Sequence, residues 1–169
     1  MRLKKILIYI LLVSGIGLGL IISCSDSPEN TANSGLEGTW LSGCTSSYYG
    51  SSDRNYGYTF SDNTVEVISN TYSSTNLSCT GTKSTFSNSY TFTTGSDITA
   101  YNNSSYQSIT ATELDVDYGY TTLYTIYWID TSTVPNILYL GTPASMYTDS
   151  GATAATRHTR LSSSPYYLQ

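Results

Sequence analysis

Charge is what this chain has least of. Asp, Glu, Lys and Arg together make 11% of its 169 residues, where ordinary soluble domains carry roughly a quarter. Basic residues are scarcest, seven against twelve acidic, so the chain has little to offer a phosphate backbone and nucleic acid is not an expected partner. There is one histidine, His158, set between Arg157 and Arg160, and no G-x-S-x-G turn. A nucleophile–base pair of the hydrolase type therefore has no sequence signature here. The three cysteines and single histidine do not fall at zinc-ligand spacing. Asp115 and Asp117 share a strand face and are read as a solvated face beside a turn, since no further acidic ligands follow them. No glycine-rich phosphate loop is present. No enzyme, metal or cofactor is expected.

Beyond residue 24 there is also no stretch of 3.6-residue periodicity. What fills the gap is Ser and Thr, roughly a third of the chain, and 17 tyrosines, a composition suited to strands with hydroxyl-lined outer faces. The regular spacing of aromatic and β-branched residues argues against disorder. Leu36 to Cys44 is the first expected strand. Tyr56, Tyr58 and Phe60 alternate before a Ser61-Asp62-Asn63 turn, and Val65 and Val67 begin a return that runs to about Tyr72. Phe86, Tyr90 and Phe92 mark another strand, ended by a turn at Thr94 to Asp97. Ile109 to Val116 and Tyr120 to Ile129 read as paired strands around Asp117-Tyr118-Gly119. The second of these has apolar residues on both faces, so it is expected to be covered on both sides or to show an aromatic outer surface. Asn136 to Leu140 follows, then a last strand over Thr156 to Leu161 and a polar tail. Eight or nine short strands with turns every eight to twelve residues predict an all-β domain, an antiparallel up-and-down barrel of about eight strands or, as the alternative, a β-sandwich.

The N-terminus has its own character. Arg2, Lys4 and Lys5 precede an apolar run from Ile6 to Ile22, which closes as Ile21-Ile22-Ser23-Cys24. A basic start, an apolar middle and a small residue before the cut are the marks of an export signal. The ending resembles the lipobox of bacterial lipoproteins. That resemblance implies cleavage before Cys24, acyl chains such as palmitate on its thiol and new N-terminus, and attachment to the cell envelope, with Ser25 favouring an outer membrane. More than one acyl chain is needed for stable attachment, and the resemblance supplies it. Domain organisation is then a signal peptide at 1–23, a flexible polar tether at 24–34 and a single domain at 35–169. The leader holds three of the seven basic residues, so the remainder carries four against twelve acidic ones, a formal charge of −8.

With Cys24 lipidated, Cys44 and Cys79 remain as an even pair in an exported domain and are expected to form a disulfide. Gly38-Thr39-Trp40 near the start of an all-β domain resembles the G-x-W signature of lipocalins and other calycins. In that family the Trp closes the base of an eight-stranded barrel under a basic side chain from the last strand. The resemblance implies that Trp40 closes this barrel and that Arg157 or Arg160 packs on its ring by a cation–π contact. It also implies a non-enzymatic function, a small apolar or amphipathic ligand held in the barrel. A second reading makes the domain a surface interaction or adhesion module that meets protein or glycan through exposed tyrosines.

Overall fold

The computed structural model describes residues 35–47, 50–102, 107–142 and 150–169. Cys24, the leader and the tether at 24–34 lie outside the described residues. The described chain forms ten strands: β1 (Gly38–Ser42), β2 (Thr45–Ser46), β3 (Asp53–Ser61), β4 (Thr64–Tyr72), β5 (Lys83–Asn102), β6 (Ser108–Asp117), β7 (Thr122–Asp130), β8 (Ile137–Thr142), β9 (Arg160–Leu161) and β10 (Tyr166–Leu168).

Eight of them close into an antiparallel barrel. β3 to β8 run up and down in sequence order, β10 pairs with β8, and β1 pairs with both β10 and β3. The alternative of a sandwich is thereby excluded, because β1 joins the two sheet edges that a sandwich leaves open. Followed once round the ring, the registers return to β7 displaced by about a dozen residues, a stagger that tilts the strands and widens the interior.

Apolar residues at alternate positions fill one end of this barrel. Leu36, Trp40 and Leu138 have no exposed surface there, and Phe60 and Phe92 meet edge to face at 5.1 Å. The Trp40 indole N–H donates to the Leu36 carbonyl at 2.7 Å, so the buried ring keeps its hydrogen bond. Gly57 lets β1 and β3 approach, since a Cβ there would lie 2.4 Å from the Trp40 carbonyl oxygen. Both ends of the domain leave from this filled end. Gly35 lies against Ile129, and the Gln169 N–H donates to the Thr39 carbonyl.

Two expectations about strands are corrected. The turn expected at Thr94 to Asp97 is a bulge inside one 20-residue strand, where Thr94 faces Leu114 and Asp97 faces Thr112. Gly95 allows it, as a Cβ there would collide with the Glu113 carboxylate. One extra residue reverses the facing of the strand. Phe92 points into the barrel, whereas Ala100 joins a second core with Ala111, Ile126 and Leu161. That second core covers the outer face of β7, which explains why β7 is apolar on both sides. The strand expected at Thr156 to Leu161 shrinks to β9, which lies outside the ring and pairs parallel with β5 and antiparallel with β8. The strand that closes the barrel is β10, from the segment read as a tail.

Candidate functional site

The opposite end of the barrel is open, and tyrosines surround the opening. Tyr58 on β3 and Tyr166 on β10 meet edge to face at 5.1 Å. Tyr90 on β5 and Tyr118, in the turn after β6, do the same at 4.5 Å. Gly119, at φ 85°, and the Tyr118 N–H donated to the Thr121 carbonyl at 2.9 Å hold that turn across the rim. Below the collar lies a cavity of about 150 Å³ walled by residues such as Phe60, Leu114, Val116, Leu123 and Leu140. Thr125, Thr142 and Ser162 also line it.

Above the collar the barrel wall continues on one side only. β3, β4 and the first half of β5 extend past the rim, and their inner face forms a trough of about 340 Å³ bordered by Tyr56, Ser69, Phe86, Asn88 and the collar. Tyr56 is 45% exposed and Phe86 69%. Tyr58, Val67, Tyr118 and Tyr166 line both spaces, so cavity and trough adjoin across the collar. The outer face of the same extension is tied down. Asn70 donates to Asn55 at 2.9 Å and accepts from the Thr85 hydroxyl at 2.7 Å. The β4–β5 connection is fixed to the buried Asp53 carboxylate, which accepts from the Leu77, Ser78 and Cys79 N–H groups.

No charged side chain lines the cavity or the trough among the described residues. Burial holds the Tyr58 phenol far above its usual pKa, with the neighbouring Tyr166 adding to the effect. Burial also raises Tyr118, helped by Tyr90. Tyr58 and Tyr118 are therefore neutral at physiological pH. The collar can stack, donate and accept hydrogen bonds, and exclude water, but it cannot neutralise an ion.

The expected site residues are placed as follows. Cys44 and Cys79 form the disulfide, with Cα atoms 5.7 Å apart, and it links the end of β1 to the β4–β5 connection at the open end. Trp40 sits in the filled end. Arg157 lies on the outer side of the wall, paired with Glu113 and Asp115 and 5.5 Å from the Tyr124 ring, so its cation–π partner is Tyr124 where Trp40 was expected. Arg160 is in β9, opposite Tyr101 and Thr142, also outside the ring. His158 is buried, with Nδ1 2.9 Å from the Thr125 hydroxyl. Cys24 lies outside the described residues. Among the described residues no three His, Cys, Asp or Glu side chains gather where they could hold a metal ion. The sequence placed Tyr58 and Tyr90 in strands and Tyr118 in a turn, but it did not bring these four tyrosines together, because the collar joins strands far apart in the chain. No protein-family model, curated protein or solved structure matches this chain, which leaves the eight-stranded barrel with its tyrosine-ringed opening as the ground for assigning a role.

Proposed function

We propose that this is a lipid-anchored binding protein of a bacterial cell envelope, non-enzymatic, whose barrel takes the apolar end of a small uncharged amphiphile through the tyrosine collar. The observation that carries the reading is an apolar cavity adjoining an aromatic trough across shared collar residues, neither of them lined by charge among the described residues. A cavity of this size accommodates about one six-membered ring or a short alkyl end. It is smaller than the roughly 300 Å³ at which drug-sized ligands are enclosed, so the rest of the molecule lies along the trough against Phe86 and Tyr56. A carboxylate or phosphate there would be desolvated without a partner, which is costly. The envelope location is supported by the leader and by the Cys44–Cys79 bond, since disulfides persist in oxidising compartments.

Burying four to six methylene groups at about 0.8 kcal/mol each gives roughly 3–5 kcal/mol, a dissociation constant in the high micromolar to millimolar range before the trough contributes. Titration calorimetry with octyl glucoside below its micellar concentration is expected to show binding at pH 7, and octanoate is expected to show none. Leu140→Trp, which fills the cavity, should weaken the glucoside at least tenfold. Equal binding of both probes, or binding that the filled cavity leaves unchanged, rejects the assignment. The second reading, a surface interaction module, is favoured by the exposure of Tyr56, Phe86 and Tyr120; it predicts no binding of either amphiphile.

A further inference from the structure

Strand β5 outruns its neighbour. From Lys83 to Thr91 it pairs with β4 without a break, but β6 joins it only at Thr91, opposite Asp117. Among the described residues nothing pairs with the other edge of residues 83–90. The Phe92 N–H is donated towards β4, to the Asn63 carbonyl. Alternation along the strand then turns the backbone groups of Lys83, Thr85, Ser87 and Ser89 to the open side. Natural sheets blunt such an edge with proline, charge, a bulge or a covering segment. The stretch from Ser84 to Tyr90 has no proline or charge and pairs with β4 in unbroken register, and residues 83–89 are exposed.

We propose that this edge is a self-pairing interface, through which two copies of the chain join β5 to β5 in antiparallel register about a two-fold axis at Phe86. The four outward-turned residues are symmetric about Phe86. Lys83 then lies opposite the partner copy's Ser89, and Thr85 opposite its Ser87, so that all four exchange backbone hydrogen bonds. The pairing stops short of Thr91, where β6 already occupies the edge. No like charges oppose each other. Lys83 projects on the same outward face as the exposed Asp117 of the other copy, about two residues or 7 Å along the strand, within reach of a lysine side chain. The two Phe86 rings meet on the trough face, and each trough gains the wall it lacks. Such an isologous contact is the ordinary form of a homodimer.

Sedimentation of the full chain in detergent tests this. A dimer is expected at micromolar concentration. Ser87→Pro removes one outward N–H and leaves the β4 side intact, a position where edge strands tolerate proline; it should weaken the dimer at least tenfold. Lys83→Glu should weaken it too, and Lys83→Glu with Asp117→Lys should restore it, which keeps the test decisive if the proline variant fails to fold. Phe86→Cys should cross-link across the axis, whereas Tyr120→Cys should not. A chain that stays monomeric at a hundred micromolar overturns the proposal. So does a dimer that Lys83→Glu and Ser87→Pro leave unchanged.

Discussion

Asp53 shows how one residue can organise a connection that the sequence does not announce. Its side chain is fully buried at the start of β3 and accepts from the Ser74 hydroxyl at 2.5 Å as well as from three backbone N–H groups. Two residues of the segment it holds, Leu77 and Cys79, adopt left-handed φ values of 61° and 49°, which cost free energy in a residue with a side chain. Desolvation by itself raises the Asp53 pKa, but the hydrogen bonds outweigh it and the net shift is downward from 3.8. A carboxyl whose folded pKa lies below its unfolded one contributes stability that is fully present above the unfolded value and is lost as pH falls through the folded one. Asp53→Asn is therefore expected to lower the urea midpoint at pH 7, with the gap to wild type closing below pH 4. A gap that stays constant with pH contradicts the charged hydrogen-bond role. Nothing in the local sequence Ser52-Asp53-Arg54 signals this, because its partners are 21 to 26 residues away.

At the scale of the element, legibility depended on whether a pattern was local. The Tyr56-Tyr58-Phe60 alternation and the two-faced β7 are written in consecutive residues, and the barrel follows from strands of that kind. The bulge in β5 was not legible: Thr94-Gly95-Ser96-Asp97 suits a turn as well as a bulge, and only pairing with β6 decides between them. β10 was missed because three residues are too few to show a period, and its place depends on β1 and β8. The arginine closure of Trp40 rested on β9 being a barrel strand, which it is not. The disulfide was read from cysteine count and compartment, and its position adds meaning. It fixes the connection that backs the trough, closing a loop of 35 residues in sequence separation. Replacing both Cys44 and Cys79 with Ser should cost about 3–4 kcal/mol in the chain-entropy model. Hydrogen exchange should quicken first in β4, the start of β5 and their connection, while Trp40 stays protected in the filled end. Uniform loss of protection across the barrel would mean that the bond supports the whole fold and not the extension.

For the whole molecule, the positions of the two ends matter together. The described chain leaves the barrel at Gly35 and Gln169, both at the filled end, while collar, trough and free β5 edge lie at the other. With the proposed lipid on Cys24, Gly35 lies eleven residues beyond the anchor, so the filled end is the end nearer the membrane and the opening is the end farther from it. A two-fold axis at Phe86 runs across β5 and inverts the second barrel, so the filled ends of a pair point in opposite directions. Copies in two facing membranes satisfy that arrangement with both barrels upright, whereas copies in one membrane satisfy it only with the two-fold axis along the membrane normal and both barrels lying on their sides. With upright barrels, the proposed self-pairing and the proposed anchor together join opposed surfaces. Vesicles carrying the lipidated chain are expected to cluster, as measured by light scattering, and vesicles carrying Ser87→Pro or Lys83→Glu to stay dispersed. Clustering should return with Lys83→Glu and Asp117→Lys combined. If the chain dimerises in detergent but its vesicles never cluster, the pair lies on its side over one membrane, and the outward-facing mouth has to be abandoned while the β5 pairing stands.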